Sequence, residues 1–480
     1  MSSPSYNRGF ALPRLPSEEV LKRTTSRCPV CRLPCPAEVI REPSENGRVL
    51  LRRVCPEHGP ASMTIASDAR FYWLAKGDPE NAGCGCSGGA CRASDNATAG
   101  TLGRNAAGRG SAPFESLATC LALIEVVDSC NLACPTCYAD SPVGTGSALR
   151  APSLANLQER IEGVIQRKGG IEILQLSGGE PTLHPEFVEL LAWTLAHPRI
   201  DYVLLNTNGV RLARDPAFFR SVASVHRPGK LQLYLQFDGP QEAQQRELRG
   251  ADLREIRESV LRACGEVPIP VTLAMTVNRG NLAHVWETIE YGLRWPHVRG
   301  VSFQPAFESG RGLPAAKDTP ILHSNGSAKV PDRLNTADIL LAAMHQSEGK
   351  LKSEDFTPLP CGDPNCAVIG YLLRFGGAIR SISEFVDFAQ VQGFLRDKVR
   401  YAPEDLARCG CESEPLGDLL RQFEMDASNT FRLFVKPFMD AWTWDQDRID
   451  RCCTHVIRPD GKLDSFCRYY SGFPDARTSA

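Results

Sequence analysis

The sequence predicts an α/β fold built around a partial (β/α)6 barrel, with a small metal-binding unit before it and a cysteine-containing region after it. Two observations predict the barrel. From about residue 120, six apolar runs that end in polar or glycine residues are typical of strands, and helical patterns alternate with them. This alternation produces a parallel sheet with right-handed crossovers. Two chelating pairs of residues near the N-terminus predict the metal-binding unit.

The six predicted strands are LALIEVV, IEILQLSGG, YVLLNTNG, LQLYLQFDG, VTLAMTVN and VRGVSFQP. Helical patterns such as SLANLQERIEGVIQRK and PEFVELLAWTLAHP lie between them. In a barrel of parallel strands, ligands bind at the carboxyl ends of the strands. The segments that follow the first and second strands are therefore predicted to lie on one rim.

Composition and charge narrow the function classes. The chain has 480 residues, 42% of them hydrophobic and 23% charged, and its formal net charge is −2. These values are typical of a soluble globular protein of two or three domains, and the balanced charge does not favour a nucleic-acid partner. No run approaches 18 apolar residues, and the N-terminus lacks the apolar core of a signal peptide. We therefore expect a cytoplasmic protein without a transmembrane segment, in which clustered cysteines bind metals.

The chain divides into six predicted segments, separated by changes in composition. They are a disordered leader (1–25), a small metal unit (26–75), a cysteine-rich segment with a flexible loop (76–119), the barrel core (120–310), a polar linker (311–355) and a separate C-terminal domain (356–480). Within the metal unit, GRVLLRRV predicts hairpin strands with ENG as the turn.

The N-terminal unit carries a four-ligand signature. Cys28-x2-Cys31 and Cys55-x2-His58 form two chelating pairs across the hairpin, which predicts one tetrahedral metal. Cys35 is a spare thiol that could replace His58. Three sulfur atoms and one nitrogen favour zinc, and the metal's role could be purely structural, because the unit is too small to fold without it.

A second motif follows the first barrel strand. The stretch CNLACPTC places Cys130, Cys134 and Cys137 in the spacing C-x3-C-x2-C, and LSGGEP follows the second strand. Three thiolates leave one iron of a four-iron cluster open to a ligand. The two motifs together resemble the radical S-adenosylmethionine superfamily over roughly residues 120–307. The resemblance implies that the open iron chelates S-adenosylmethionine (SAM), whose reductive cleavage gives a 5′-deoxyadenosyl radical; the cofactors carry the chemistry.

The resemblance also implies contacts with SAM. Glu180 would accept from the methionine ammonium and Gly179 would contact it with backbone, while Gly178 and Gly179 let backbone approach the ligand because they lack a Cβ. Thr136 stands where many members of the superfamily carry an aromatic residue, and Tyr138 could supply a ring for adenine instead. Polar residues near later strand ends are further candidate contacts, unless they cap helices or form turns: Thr207, Asn208, Gln236, Asp238, Asn278 and Gln304.

A closer resemblance covers almost the whole chain. CPVC…VCPEHG, TCLALIEVVDSCNLACPTCYA, YLQFDG, SFQP and CCTHVIRPDGKLDSFC look like the archaeal tetraether lipid synthase family, whose related members have been described as pterin methylases. In that family the N-terminus is rubredoxin-like, which favours mononuclear iron there, and further iron–sulfur clusters accompany the radical one. The cysteine spacing of GCGCSGGAC is less regular than the family's. The resemblance implies radical chemistry on lipid chains or on a small molecule.

The other cysteines form two candidate auxiliary clusters. The first set is Cys84, Cys86, Cys91 and Cys120, and four thiols suit electron transfer because they leave no vacant iron. The second set, taken by position in the family pattern, is Cys361, Cys366, Cys453 and Cys467, with Cys452 about as good a choice as Cys453. Cys409 and Cys411 could be ligands or a surface pair. Cys264, alone on a helical stretch, is expected to be an inert core thiol.

The sequence therefore predicts a radical SAM enzyme that abstracts hydrogen from an unactivated C–H bond. Its expected cofactors are SAM, a radical four-iron cluster, two auxiliary four-iron clusters and one mononuclear iron or zinc, with flavodoxin or ferredoxin as electron donor. Carbon–carbon coupling of lipid chains is the first hypothesis, which allows a peripheral position at the membrane. Radical methylation of a pterin-like or other small molecule is the second, and a non-enzymatic iron–sulfur electron carrier is the third. A lipid requires an apolar channel, whereas a pterin requires a short polar pocket.

Overall fold

The N-terminal unit is a four-stranded antiparallel sheet. The computed structural model describes residues 18–75, 117, 119–312, 331–389 without 360, 376 and 386, and 429–473. The strands of the unit follow in chain order: β1 (Glu19–Arg27), β2 (Pro34–Arg41), β3 (Val49–Cys55) and β4 (Gly59–Ala66). The predicted hairpin is present as β2 and β3. β1 begins inside the predicted disordered leader. Its residues show only a weak strand pattern in the sequence, but they are held in a strand by antiparallel pairing with β2.

The barrel contains the six predicted parallel strands. They are β5 (Leu121–Val127), β6 (Ile171–Gly178), β7 (Ile200–Thr207), β8 (Leu231–Gln236), β9 (Val271–Val277) and β10 (Val298–Pro305). The helices between them are α1 (Leu154–Lys168), α2 (Phe187–Ala196), α3 (Val210–Arg214), α4 (Pro216–Val225), α5 (Glu242–Arg249), α6 (Arg254–Glu266) and α7 (Val285–Leu293). Each strand pairs in parallel with its neighbours in chain order, so all the carboxyl ends lie on one rim.

Local signals fix the ends of the barrel helices. Ser153 accepts a hydrogen bond from the backbone of Asn156 at the start of α1, and Gly169 ends that helix in the left-handed conformation with φ 81°. Asp215 caps α4, whose first residue is Pro216. The apolar faces of these helices pack against the sheet, and the barrel core is fully buried around them. The helices thereby hold the strand ends at fixed positions on the rim.

The C-terminal region extends the barrel sheet at both edges. Its elements are α8 (Thr336–Gln346), β11 (Phe356–Pro358), β12 (Val368–Phe375), β13 (Ala378–Ser381), β14 (Thr430–Val435), α9 (Gln446–Asp450), β15 (Thr454–Ile457), β16 (Leu463–Ser465) and α10 (Phe466–Tyr470). The strand order is β11-β12-β14-β10-β9-β8-β7-β6-β5-β15-β16, with β13 paired to β12. The structure therefore differs from the predicted separate C-terminal domain, because its strands hydrogen-bond directly to β5 and β10.

The predicted polar linker also contains a helix. Asn335 accepts hydrogen bonds from Ala337 and Asp338, while the carboxylate of Asp338 accepts from the Asn335 backbone, so α8 begins with a capping box. Its buried residues pack on α7. Residues 313–330 of the predicted linker lie outside the described residues. None of the described helices combines the length and hydropathy that a membrane crossing needs.

The N-terminal unit is docked on the segment before α9. Lys22 Nζ lies 2.7 Å from a carboxylate oxygen of Asp445, and the guanidinium of Arg27 lies 5.5 Å from the centroid of a Trp444 ring. Arg53 is fully buried and donates to the carbonyl oxygens of Ala441 and Trp442. Burial lowers the pKa of Arg53 to about 10. These buried polar contacts fix the unit against the same segment that borders the rim.

Candidate functional site

The predicted cysteine triplet lies on the loop that follows β5. The Cys130 amide donates to the Pro142 carbonyl at 2.9 Å, and the Gly144 amide donates to the Cys130 carbonyl at 3.0 Å. Burial raises the pKa of the Cys130 thiol to about 12, and the charge of Glu180 adds to this effect. Burial also raises the pKa of Cys134. A coordinating metal deprotonates such thiols outright, so the loop suits a metal centre.

The two glycines at the end of β6, Gly178 and Gly179, allow close approach to the cysteine loop. A Cβ on Gly178, whose φ is 107°, would lie 2.4 Å from the carbonyl oxygen of Val127, and one on Gly179 would lie 2.0 Å from that of Ser129. The Glu180 amide donates to the same Ser129 carbonyl at 3.0 Å. The predicted reason for these glycines was the close approach of a ligand. In the structure their close neighbour is the chain itself, so they couple the two motifs.

The Glu180 carboxylate ties the ends of β6 and β7 together. Its Oε1 accepts from the Thr182 hydroxyl at 2.6 Å and from the Thr207 hydroxyl at 2.7 Å. Its Oε2 accepts from the Asn208 amide at 2.7 Å. Burial raises the pKa of Glu180, and these hydrogen bonds oppose that shift. A carboxylate oxygen offers about two acceptor positions, so Oε2 keeps capacity for a further donor such as an ammonium group.

A buried ion pair lies at the end of β8. Arg249 donates to the two carboxylate oxygens of Asp238 at 2.6 and 2.8 Å, and Gln236 and the Thr276 amide also donate to this carboxylate. Asp238 has φ 64° and is fully buried. Burial acts to lower the pKa of Arg249, but the charge of Asp238 outweighs it, and the Cys134 thiol adds to the upward shift. Arg249 thus places a cation beside the triplet.

Arg249 was not among the predicted site residues. Its position at the C-terminal end of α5 gave only the common signal of a basic residue near a helix end. The pairing with Asp238 depends on how α5 folds back over the rim. A buried cation could have been inferred only once Asp238 was known to be buried.

A second arginine lies buried beneath the rim. Arg257 on α6 is fully buried, and its three side-chain nitrogens have no hydrogen-bond partner among the described residues. Burial lowers its pKa to about 10, and its nearest charges include Asp238 and Glu180. Its Nη1 lies 3.7 Å from where a Cβ on Gly209 would be. A buried cation without a partner is costly, so this region favours negative charge at the rim.

The remaining predicted contacts fall into different environments. Asn208 Nδ2 donates to Asn131 at 2.7 Å and lies 3.7 Å from the Cys130 sulfur. Gln304 donates to the Tyr234 hydroxyl at 2.8 Å inside the barrel. Asn278 reaches outward and donates to Glu247 at 2.8 Å. All three residues line the central cavity, but the amide of Asn278 is already engaged by Glu247 at the surface.

Tyr138 contacts the C-terminal helix. Its ring centroid lies 4.9 Å from that of Tyr470 and 5.5 Å from that of Phe466, both on α10. Its hydroxyl lies 3.2 Å from the Ser177 hydroxyl. Tyr138 also lines the central cavity. The ring suggested for adenine is therefore already packed on two aromatic neighbours, and α10 closes this side of the rim.

A cavity of about 760 Å³ joins the rim to the barrel interior. One wall carries amide and hydroxyl side chains from β6 to β10: Gln175, Asn206, Gln232, Tyr234, Gln236, Thr272, Ser302 and Gln304. The other wall is mainly apolar and comes from β5 and the C-terminal region: Leu121, Leu123, Leu359, Ile369, Leu373 and Phe434. The triplet and Glu180 line the same cavity. The barrel strands also contribute apolar residues such as Ile173, Leu204 and Val301, so the cavity offers polar groups within a largely apolar lining.

The four predicted N-terminal ligands come together at two chain turns. Cys28, Cys31, Cys55 and His58 offer ligand atoms that all lie within 4.8 Å of one another. Burial raises the pKa of Cys28 to about 12. Burial also acts to raise that of Cys55, but hydrogen bonds from His58 and the backbone lower it to about 7. Cys35 is buried nearby but is not part of this group. The set fits one tetrahedral ion.

The auxiliary cysteines are grouped differently from the prediction. Cys120, Cys361 and Cys453 lie within 4.8 Å of one another and line the central cavity. Cys120 was predicted to join Cys84, Cys86 and Cys91, which lie outside the described residues. Cys120 is brought to Cys453 by the parallel pairing of β5 with β15, which the sequence analysis did not predict.

Three further thiols lie near this group. Cys452 interacts electrostatically with Cys453, Cys366 and Cys467, and Arg448 donates to the Cys366 sulfur at 3.7 Å. Of the four ligands predicted for one C-terminal cluster, Cys361 and Cys453 thus lie with Cys120, whereas Cys366 and Cys467 are not part of that group. Cys409 and Cys411 lie outside the described residues. Cys264 is fully buried in the barrel core, as expected for an inert thiol.

Comparison with known families identifies both metal-binding parts. Residues 124–292 match the model of the Radical SAM superfamily, and residues 20–67 match the HMPTM N-terminal zinc ribbon domain. Residues 124–292 thus form a domain of the radical SAM superfamily. The chain is a radical SAM enzyme with an N-terminal zinc ribbon. The zinc ribbon match favours zinc over iron at the Cys28–His58 group.

Similar proteins share this core to different extents. The 7,8-dihydro-6-hydroxymethylpterin dimethyltransferase of Methanocaldococcus jannaschii is 25% identical, and the alignment covers 93% of each chain. The GTP 3′,8-cyclase of Syntrophomonas wolfei is 30% identical over 38% of this chain and 54% of that enzyme. Among solved structures, Streptococcus suis SuiB has 13% identity and a TM-score of 0.36, over 48% of this chain and 46% of its own. Native anSMEcpe with bound AdoMet has 19% identity and a TM-score of 0.35, over 48% and 60%. The chain thus spans about half the length of the cyclase and of SuiB.

The described residues of this radical SAM enzyme fit the cofactors of the superfamily. Three thiols on one loop supply an incomplete set of ligands for a four-iron cluster, which leaves one iron for SAM. Glu180 has spare acceptor capacity beside them. Arg249 and Arg257 add positive charge to the buried region that carries these thiols. The same cavity passes along the triplet and into the barrel. A ligand bound to the cluster would therefore face the space in which a substrate can lie.

Proposed function

We propose that this radical SAM enzyme methylates a pterin-like, polar heterocyclic small molecule. The supporting observation is the wall of amides and hydroxyls on the barrel side of the cavity. A flat ring with several donors and acceptors needs such a wall, because its buried polar groups are costly when they are left unpaired. The similarity to a pterin dimethyltransferase over 93% of both chains supports the same substrate class.

The polar wall is organised in layers along the barrel axis. Near the rim, Gln304 donates to the Tyr234 hydroxyl, which itself donates to Ser302 at 2.6 Å. Deeper in the barrel, Tyr202 donates to Gln232 at 2.7 Å. These bonds fix the side chains in place before a substrate binds. A ring placed near Tyr234 would meet preorganised acceptors and donors, so it would lose little free energy to side-chain ordering.

The chain's residues have separate tasks in this reaction. When bound, the cluster and SAM supply a 5′-deoxyadenosyl radical that removes a hydrogen atom from a C–H bond. The triplet Cys130, Cys134 and Cys137 would hold three irons. Glu180 would accept from the methionine ammonium through Oε2, and Arg249 would favour negative charge beside the cluster. The aromatic packing of Tyr138 on α10 excludes water on one side of the rim, which protects a reactive intermediate.

Coupling of lipid chains is the second candidate function, and it was the first hypothesis of the sequence analysis. The apolar wall of the cavity favours it. Burial of each CH2 group contributes about 0.8 kcal/mol, so a chain lying along Leu123, Ile369 and Phe434 would be held without polar contacts. The amides and hydroxyls on the barrel side argue against this reading, because an apolar chain gains no hydrogen bonds from them.

An electron carrier without catalytic activity is the weakest alternative. A carrier cluster needs no open iron, and it needs no large cavity beside the triplet. The proposed reaction instead requires one electron to cleave the SAM that gives the radical. It requires one more when the substrate radical takes a methyl group from a second SAM, which leaves as S-adenosylhomocysteine. We therefore propose a small one-electron donor such as a flavodoxin or a ferredoxin as a partner of this chain.

Mass spectrometry of reaction mixtures tests the proposed function. The anaerobically reconstituted protein is reduced and given SAM with 7,8-dihydro-6-hydroxymethylpterin, or with a lipid that carries saturated chains. We expect a methylated pterin product and 5′-deoxyadenosine. The variant Gln304→Leu should lower pterin turnover about tenfold, since one charge-neutral hydrogen bond is worth about 1 kcal/mol and the unpaired substrate group adds to this loss. Gln158→Leu, on the outer helix α1, is the matched control. Coupled lipid without methylated pterin would overturn the proposal.

A further inference from the structure

The segment that follows β10 is fixed against the cysteine loop. The Arg311 amide donates to the Cys137 carbonyl at 2.9 Å, and Gly310 approaches the same carbonyl so closely that a Cβ there would clash with it. Two residues earlier, the Glu308 amide donates to a carboxylate oxygen of Asp440 at 2.7 Å. Glu308 is therefore held on a short, anchored segment beside the triplet, and it lines the central cavity.

Glu308 differs from the other acidic residues of the cavity. Among the described residues, the acidic side chains that line the cavity are Glu180, Glu308 and Asp332. Glu180 is bonded to the ends of β6 and β7. Asp332 is largely exposed and pairs with Arg279 at 2.7 Å. Glu308 is half-buried and forms no ion pair with a described residue, so its charge is the one that a ligand can complement.

The surroundings of Glu308 leave acceptor positions on its carboxylate. Burial raises the pKa of Glu308 to about 6, and the charge of Asp440 adds to this effect. Arg333 and Arg32 act in the opposite direction, but both forks of the Arg333 guanidinium are bound to Asp440. The Trp442 indole donates one hydrogen bond to Glu308. A carboxylate has about four acceptor positions, so Glu308 keeps capacity for two further donors.

Aromatic side chains line the cavity near Glu308. Phe307 precedes it in the chain, and the Phe307 ring centroid lies 5.3 Å from that of Phe438. The Phe438 ring is stacked on Phe466 at 4.1 Å, and the Phe466 ring lies 5.5 Å from Tyr138. All four residues line the cavity, and we call them the rim aromatic group. Aromatic rings of this kind pack well against another flat ring, so the site offers ring surface together with a carboxylate.

We propose that Glu308 binds the 2-amino-4-oxopyrimidine edge of the substrate, with the flat ring packed against the rim aromatic group. On this edge a ring N–H and an exocyclic amino group point in the same direction, so one carboxylate accepts from both in a bidentate arrangement. Gln304 lies four residues before Glu308, so their α-carbons are at most about 14 Å apart. A bicyclic ring bound at Glu308 therefore extends towards the amides and hydroxyls of the barrel.

The subsite narrows the substrate class, and it rests on the proposed function for the reaction that the bound ring undergoes. Pterins and guanine nucleosides share the 2-amino-4-oxopyrimidine edge and differ in the second ring. A heterocycle that lacks the amino group presents an acceptor to Glu308 in place of a donor, and an acceptor facing a buried carboxylate is costly. The edge, rather than the second ring, is the feature that Glu308 selects.

Calorimetric titration of the reconstituted full chain, with SAM and without reductant, tests the subsite. The probes are pterin, guanosine and lumazine, in which a carbonyl oxygen replaces the amino group of pterin. We expect lumazine to bind about tenfold or more weakly than pterin, because a hydrogen bond to a charged group is lost. Glu308→Gln should weaken pterin binding by a similar factor and change lumazine binding little. Asp332→Asn removes a charge at the edge of the same cavity and is the matched control; it should bind pterin like the wild type.

The pH dependence of binding separates a direct contact from a structural role. Two donors stabilise the ionised carboxyl group, so bound pterin should lower the pKa of Glu308, and pterin affinity should rise from about pH 5 to about pH 7. The charged groups that face Glu308 are Asp440, Arg333 and Arg32. Burial acts to raise the pKa of Asp440, but the charge of Arg333 outweighs it, and guanidinium groups do not titrate in this range. The rise should therefore be absent in Glu308→Gln.

Each outcome decides the proposal. Binding of pterin that Glu308→Gln weakens supports the subsite and assigns it to a pterin, and the same result with guanosine alone assigns it to a guanine ring. Equal binding of pterin and lumazine to the wild type overturns the subsite, as does wild-type pterin affinity in folded Glu308→Gln protein. Failure of the wild type to bind either pterin or guanosine overturns it as well. Methylated pterin formed by Glu308→Gln with an unchanged KM refutes the subsite alone; binding that depends on Glu308 without any methylated product refutes the proposed function alone.

Discussion

Replacing Gly179 with alanine should uncouple the two motifs of the radical site. A Cβ at this position would lie 2.0 Å from the Ser129 carbonyl oxygen, so the backbone on one side must move by more than 1 Å to reach ordinary contact. The neighbouring atom is backbone, which cannot rotate away as a side chain can. Two backbone hydrogen bonds would be lost or stretched. The Glu180 amide donates to the Ser129 carbonyl at 3.0 Å, and the Gly179 amide donates to the Val127 carbonyl at 2.8 Å.

The magnitude follows from these contacts. Two hydrogen bonds contribute about 0.5–1.5 kcal/mol each, and an overpacked site costs about 1–3 kcal/mol. We therefore expect the free energy of unfolding of the Gly179→Ala variant to fall by about 2–6 kcal/mol. Because Glu180 is carried on the same segment, SAM affinity should fall at least tenfold. Equilibrium binding of SAM to the reconstituted protein measures this loss, and cluster absorption shows whether the triplet still holds iron.

Gly163→Ala is the matched control for this prediction. Gly163 lies inside α1, and a Cβ there would meet only the end of the Arg167 side chain at 3.2 Å, which can move. Alanine inside a helix should stabilise the chain by about 0.5–1 kcal/mol and leave SAM binding unchanged. Wild-type SAM affinity in folded Gly179→Ala protein would refute the reasoning, because the close approach would then carry no function.

Three further predictions use other parts of the structure. Arg249→Leu leaves the Asp238 charge buried without its partner, so the free energy of unfolding should fall by about 3–5 kcal/mol. Adding Asp238→Asn should restore part of this loss. Burial raises the pKa of Glu308 from 4.5 to about 6, so the folded protein loses stability as the pH rises between these values. In urea titrations, Glu308→Gln should therefore raise the free energy of unfolding by at most about 2 kcal/mol at pH 7 and hardly change it at pH 4. Cys120→Ser should remove iron after reconstitution, whereas Cys264→Ser should not; equal iron content would contradict the thiol group.

The barrel could be predicted because its signals are local. Each strand is an apolar run with a polar or glycine end, and the run VRGVSFQP corresponds to β10 (Val298–Pro305). The N-terminal ligand group was equally accessible, since both chelating pairs lie within single turns of a hairpin. The spacing of cysteines alone then brings Cys28 and Cys31 to one metal.

The C-terminal region could not be predicted in the same way. β14 begins at Thr430 but pairs with β10, which ends at Pro305, and no local pattern records a contact over that distance. The grouping of Cys120 with Cys453 depends on a similar pairing of β5 with β15. The auxiliary thiol group could not be predicted because the strands that bring it together lie far apart in the sequence, and not because their strand patterns are weak.

The radical site was predicted as a set of residues but not as a network. The triplet and Glu180 were identified by their motif, yet the motif does not show that the Thr207 hydroxyl donates to Glu180. Arg249 was missed because a basic residue at a helix end is common on protein surfaces. Its burial beside Asp238 follows from tertiary packing that the sequence does not encode locally.

Formation of 5′-deoxyadenosine from SAM tests the central claim most directly. The reconstituted protein is reduced under anaerobic conditions, and the nucleoside is measured by mass spectrometry for the wild type and for Cys134→Ala. The account predicts 5′-deoxyadenosine from the wild type and none above background from the variant, with the fold largely kept and one cluster's iron lost. Equal production by both proteins would contradict the assignment of the triplet. No production by the fully reconstituted wild type would contradict radical SAM chemistry in this chain.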